Sequence, residues 1–138
     1  MKSSKEHQEQ LYKFRYLKEQ NEMFKNQLEI INASLGNVLN TKKTVENLKD
    51  GVNEGDEILV PIGGLVNIKA SIKDTKKVLL AVTRDVVIEK DLDKTVEFLE
   101  KMIEQHNKQI QFLRTQIQAL EGELEGISQF LQSGYSQN

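Results

Sequence analysis

Residues able to do covalent chemistry are scarce in this chain and do not converge. There is no cysteine, which excludes a thiolate nucleophile and a disulfide framework alike. His106 stands without a second ligand at metal-binding spacing and reads as a polar residue tolerated in a helix seam. Gly63-Gly64 opens no helix that could present amides to a phosphate, so it reads as a turn. No Walker or Rossmann fingerprint occurs, and the aspartates and glutamates are scattered as helix-surface charge. The expectation is a protein that is not an enzyme and uses no cofactor and no metal. What does cluster is aromatic: Tyr12, Phe14, Tyr16, Phe24, Phe130 and Tyr135, leaving only Phe98 and Phe112 elsewhere. Their chemistry is noncovalent contact with apolar surface.

For the two ends of the chain to pool these aromatics, the polypeptide must double back. Heptad repeats supply the means. In the first arm, roughly 11–48, Phe14, Asn21, Leu28, Leu35 and Lys42 occupy one heptad row, and Leu17, Phe24, Ile31, Val38 and Val45 the other. Asn21 and Lys42 interrupt the first row, and Asn21 reads as a register-setting residue. The second arm, roughly 92–131, is more regular. Val96, Ile103, Ile110, Ile117, Leu124 and Leu131 form its a row, and Leu92, Leu99, His106, Leu113, Leu120 and Ile127 its d row. Mostly β-branched residues at a with leucine at d favour two strands. At about 1.5 Å per helical residue, each arm would be roughly 60 Å long. Lys49-Asp50-Gly51 reads as a helix stop with Gly51 free to turn left-handed, and Asp91 as the N-cap of the second arm.

Between the arms the period changes from seven to two. Val66, Ile68, Ala70 and Ile72 alternate with Leu65, Asn67, Lys69 and Ser71, the pattern of a strand with one buried face. Ile58, Val60 and Ile62 form a preceding strand, with Pro61 pointing to an edge or a strand end and Gly63-Gly64 to a tight hairpin turn. Lys73–Lys77 is a second turn before a strand on Val78, Leu80 and Val82; Thr83–Asp85 then separates it from Val86–Glu89. The predicted fold class is α+β: a long antiparallel coiled-coil hairpin with two central β-hairpins. Its expected segments are a helix over 1–50, the hairpins over 51–90, and a helix with a short tail over 91–138. The strand segment is too short to be stable alone, so a partner chain is expected. Ile58, Val60, Val66, Ile68, Ile72, Val78, Leu80 and Val82 are the residues expected to carry assembly.

The totals narrow the partners. A net charge of −2 over 138 residues and a pI near 5.8 give no polybasic footprint, which argues against nucleic acid or an anionic membrane. The longest apolar runs, such as Val78–Val82, fall far short of the roughly 20 residues that span a bilayer. MKSSKEHQEQ at the start lacks the apolar stretch of a secretory signal. A soluble, cytoplasmic protein is expected.

The segments EILVPIGG (57–64), SIKDTKKVLLAV (71–82) and VVIEKDLDKTVEFLEK (86–101), in the order helix, two hairpins, helix, resemble prefoldin, specifically its alpha-class subunit. A beta-class subunit is expected to carry only one hairpin. The resemblance implies a heterohexamer of two alpha-class and four beta-class subunits, whose hairpins join into a double β-barrel platform. Six coiled coils hang from it, and their distal tips hold non-native polypeptides and pass them to a group II chaperonin without ATP. The chain departs from the family pattern at Thr83-Arg84-Asp85, where a glycine-rich turn is common. It departs again where Gly63-Gly64 runs directly into Leu65-Val66 rather than a serine or aromatic residue.

Folding the arms back places residues 11–24 near 120–135, at the end away from the strands. That end is thin in charge, since after Lys108 only Arg114, Glu121, Glu123 and Glu125 are charged. Gly122 and Gly126 inside the helical pattern each cost about 1 kcal/mol relative to alanine. Phe14 and Leu131 are client candidates that read first as seam residues, as do Leu17, Leu124 and Ile127. Tyr12, Tyr16, Phe130 and Tyr135 lie off the a/d rows and are the better candidates. Burying one such side chain is worth roughly 1.5–3 kcal/mol, much of it consumed by ordering. One tip should therefore bind near the millimolar range, and several on one platform should hold through local concentration. The alternative is a structural protein that polymerises through its strands into homomeric filaments or rings.

Overall fold

The sequence changes period after residue 51 and again at 91, and the backbone follows it. The chain is described here from a computed structural model, covering residues 2–136, with side chains described over 4–134. Helix α1 runs Lys2–Gly51, followed by β1 (Glu57–Pro61), β2 (Asn67–Ser71), β3 (Lys77–Ala81), β4 (Val87–Asp91) and helix α2 (Leu92–Ser136). By its contacts the chain divides into two compact units, residues 36–104 and residues 1–35 with 105–138.

In the unit formed by 36–104, β1 pairs antiparallel with β2, Glu57 opposite Ser71 and Pro61 opposite Asn67. β3 pairs antiparallel with β4, Lys77 opposite Asp91 and Ala81 opposite Val87. These are two separate two-stranded sheets. They repeat each other: β1 and β3 start at 57 and 77, β2 and β4 at 67 and 87, an offset of twenty residues each time. The connections repeat as well. The Ile62 amide donates to the Val66 carbonyl at 2.9 Å, and the Val82 amide to the Val86 carbonyl at 2.9 Å. The tight turn expected at Gly63-Gly64 is therefore a five-residue connection over 62–66, with Thr83-Arg84-Asp85 in the equivalent place of the second hairpin. No residue in either connection has positive φ, so neither needs glycine, and the departure from the family pattern at 83–85 is tolerated.

The left-handed glycine lies elsewhere than expected. Gly51 stays helical, whereas Gly55 takes φ 88° in the linker. Its amide donates to the Ile72 carbonyl at 2.7 Å, tying the linker to the end of β2. A Cβ at Gly55 would find open space, so backbone conformation alone demands glycine there.

The core of this unit is Val38, Val45, Leu92 and Leu99, with Leu48, Val78, Val96, Phe98, Met102 and Ile103 packed against it. Asp91 ends β4 and caps α2, as expected: its Oδ1 accepts the Lys94 amide at 2.8 Å, and its carbonyl accepts the Thr95 hydroxyl at 2.8 Å. The Leu92 amide donates to the Lys76 carbonyl at 3.1 Å, joining the loop between the hairpins to the start of α2. Lys90 Nζ stands 5.2 Å from the centroid of Phe98. Lys42, which breaks its heptad row, reaches Glu46 at 3.6 Å and Glu100 at 3.4 Å. Its charge is matched at the seam's margin.

In the other unit the heptad rows bury as their spacing dictates. Leu17, Ile110, Leu113 and Ile127 are buried, and Phe14, Phe24, Leu28, Ile31, Ile117, Leu120, Leu124 and Leu131 are half-buried. Lys25 meets Glu121 at 3.2 Å and Ser34 meets His106 at 2.9 Å, so α1 and α2 run antiparallel here. The partner of His106 is thus a hydroxyl contributed by the opposite helix. Asn21 is 5 % exposed, and its Oδ1 has no hydrogen-bond partner.

Candidate functional site

Two surfaces stand out because the chain leaves apolar side chains uncovered on them. The first is built by the hairpins. The register of β1 and β2 sets Val60 opposite Ile68 and Ile58 opposite Ala70. Alternation then collects Ile58, Val60, Val66, Ile68 and Ala70 on one face, leaving Glu57, Lys69 and Ser71 on the other. The strand pattern predicts that this face is buried, yet within the chain Val66 is 56 % and Ile68 48 % exposed. The reason is physical: a two-stranded sheet has no second layer of its own to cover it. Ile72 lies just past β2, half-buried, with its amide donating to the Asp56 carbonyl at 2.9 Å.

On the second hairpin, Leu80 lies opposite Ile88, with Val78 two residues along on the same face. Val78 is turned into the core of its own unit, whereas Val82, just beyond β3, is exposed. Leu59, Leu79 and Val87, on the opposite faces, are exposed too. Strand periodicity understates these residues because each follows or precedes a residue of the expected face. Each sheet has only two strands, so every strand also carries an unpaired edge.

The second surface is aromatic and belongs to the unit of residues 1–35 and 105–138. Tyr12 is 77 %, Tyr16 56 % and Phe130 46 % exposed. Phe14 and Leu131 are half-buried on the seam rows, and the Tyr135 side chain lies outside the described residues. Beside Phe130 runs an open groove of about 350 Å³ lined by Gln10, Lys13, Glu123, Gly126, Ile127 and Phe130. Gly126 lines it without a side chain, and a Cβ there would meet nothing within 4 Å. Sequence reasoning missed Met23, Ile30 and Phe112 as exposed apolar residues. Their signal was available, because all three sit two positions after an a residue and so face outward.

Two titratable groups are displaced from their ordinary ranges, both by structural contacts. The Asp74 carboxyl is held below the usual aspartate value because it accepts the backbone amide of Lys76 at 2.8 Å, with Lys77 at 3.3 Å also contributing. Lys49 is raised by its 2.6 Å hydrogen bond and ion pair with Asp93. Among the described residues, no three His, Asp or Glu side chains gather as a metal ion would require, and no helix is long and apolar enough to cross a membrane.

Two long helices with two separate antiparallel β-hairpins between them in the chain define a class of fold: a coiled coil that carries paired hairpins. Comparison with known proteins narrows it. The Prefoldin subunit family model matches residues 17–137, and the chain belongs to the prefoldin family. It is 31 % identical over 104 residues to prefoldin subunit alpha of Pyrococcus horikoshii, covering 75 % of this chain and 70 % of that one. It is 33 % identical over the same length, with the same coverage, to prefoldin subunit alpha 1 of Thermococcus kodakarensis. Among solved structures, a filamentous prefoldin from Methanocaldococcus jannaschii matches its fold with a TM-score of 0.72 at 20 % identity, over 83 % of this chain and 93 % of the other. Membership brings with it a chaperone-type function and assembly with other prefoldin subunits.

Proposed function

We propose that this chain is the alpha-class subunit of an ATP-independent holdase. It assembles in the cytoplasm with beta-class subunits as a two-alpha, four-beta hexamer, captures non-native polypeptides and delivers them to a group II chaperonin. The observation that carries the reading is the exposure of Tyr12, Tyr16 and Phe130 together in one unit, beside a groove bordered by Gly126. A holding chaperone needs bare apolar surface, and several weak contacts on a common platform suit clients that have no fixed shape. Hairpin faces left uncovered in the chain support assembly, because apolar surface of that kind seeks a partner. No nucleotide, cofactor or metal enters this mechanism.

The test is light scattering of a chemically unfolded client diluted into buffer. The assembly formed with a beta-class partner should suppress aggregation without ATP. A well-formed assembly with no effect on scattering would overturn the holdase reading. A second reading is favoured by one observation, the filament form of the structural neighbour: homomeric polymerisation through the hairpins. Electron microscopy of the purified chain alone decides it, since long filaments support that reading and their absence opposes it.

A further inference from the structure

The helical unit of residues 1–35 and 105–138 has two chemically opposite flanks. With Phe14 and Leu17 as a and d in α1, and Val96 and Leu99 as a and d in α2, antiparallel packing brings e rows together on one flank and g rows on the other. The contacts agree. Lys25 and Glu121, both e residues, pair at 3.2 Å. Ser34, a g residue, meets His106 from the other flank at 2.9 Å. On the e flank, with its neighbouring b row, α1 presents Arg15, Lys18, Glu22, Lys25 and Glu29 in succession. α2 adds Arg114, Glu121 and Glu125.

The g flank, with its neighbouring c row, is different in kind. From Tyr16 to Ser34 and from Gln105 to Ala119 it holds no charged residue. Its polar members are chiefly glutamines, and its apolar members Tyr16, Met23, Ile30 and Phe112 are all exposed, Ile30 at 68 %. The flank runs into the groove beside Phe130, where it carries its first charges, Lys13 and Glu123, among the lining residues. Residues 16–30 alone extend about 20 Å along α1.

Resting on the holdase reading, we infer that the client lies along this one flank, from the groove at Phe130 to Ile30 and Phe112, rather than on the end of the helices alone. The occupant is an extended or helical segment of a non-native polypeptide, apolar and low in charge. Charge segregation argues for it. A charged segment would be better served by the opposite flank, and an apolar one is excluded there, because docking would desolvate Arg15, Lys18, Glu22 and Glu29. Glutamine side chains on the g flank offer donors and acceptors to an irregular backbone without imposing a sequence.

The experiment places a photo-crosslinking amino acid singly at Met23, Ile30 or Phe112 on the g flank, at Glu29 or Gln118 on the b row, and at Tyr12 as a tip control. The full chain is used in its purified assembly, loaded with an unfolded client. Cross-links to client from 23, 30 and 112, and few from 29 and 118, are expected. Cross-links from position 12 alone, or equally from both flanks, would overturn the inference while leaving the holdase reading intact. Absence of client cross-links at every position would instead overturn the holdase reading. Cross-links from 23 or 30 to a neighbouring subunit without client would show an interface there and refute the proposal. As a second measurement, the double variant Met23→Glu, Ile30→Glu should weaken client binding about tenfold, the equivalent of about 1.4 kcal/mol. The matched variant Glu22→Gln, Glu29→Gln should leave binding within twofold; equal losses from both variants would contradict the assignment.

Discussion

Placing charge on the uncovered face of the first hairpin should abolish assembly while sparing the chain's own fold. Val66 and Ile68 share that face with Ile58, Val60 and Ala70, and about half of each side chain remains open to solvent. Fully burying such a residue is worth roughly 1.5–3 kcal/mol, so the half still exposed offers about 1 kcal/mol apiece on assembly. In the double variant Val66→Asp, Ile68→Asp that gain of about 2 kcal/mol disappears. Each carboxylate in an apolar contact adds a desolvation cost of at least about 1 kcal/mol. The sum is about 4 kcal/mol or more, a weakening of about a thousandfold in association. Size-exclusion chromatography with light scattering reads the complex, and circular dichroism checks that helix content is kept. Lys69→Asp, on the opposite face, is the control and should assemble normally. Full assembly of the double variant with its partner would refute the argument that this face is the contact.

The remaining predictions concern single features. Replacing Tyr12, Tyr16, Phe130 and Tyr135 with serine should weaken client capture, measured by aggregation suppression, and leave the assembly mass unchanged; loss of the assembly would make these residues structural. Asn21→Leu removes a buried oxygen that has no partner and should raise thermal stability by about 1–3 kcal/mol. Cysteine cross-linking between positions 25 and 121 should then show whether register is loosened. Asp91→Ala removes the cap on Lys94 and should cost about 1 kcal/mol in a thermal melt, with Asp91→Asn retaining most of it. Asp74 is depressed by the amides it accepts, so its contribution is present above the ordinary 3.8 and is lost as pH falls through the lowered folded value. The Lys76 and Lys77 amide resonances should therefore shift only in that acid range, and no shift there would deny the turn.

Legibility in the sequence followed the strength of the periodic signal. Heptads announced both helices and their buried rows because a seam residue recurs every 3.5 positions and is apolar nearly each time. His106 and Lys42 broke the pattern partly for reasons no single sequence row contains: the opposite helix supplies Ser34 to one and Glu100 to the other. Alternation placed all four strands and both hairpins, since one face of each is apolar. Turn geometry was harder. A pair of glycines suggests a left-handed turn, but a five-residue connection needs none, and the residue that does need glycine is Gly55. Alternation marks Val66 and Ile68 as one apolar face but not what covers it, because an amphipathic strand looks the same whether its cover is its own chain or another's; within the single chain that face is exposed. Met23, Ile30 and Phe112 escaped notice because aromatic clustering drew the reading to the chain ends. Outward heptad positions, counted row by row, identify them.

Native mass spectrometry of the purified chain, with and without a beta-class partner, bears most directly on the claim that these bare hairpin faces exist to be covered by other subunits. The account predicts a discrete species of two copies of this chain with four of the partner, and little free chain once the partner is in excess. A stable, soluble single chain that ignores the partner would contradict it.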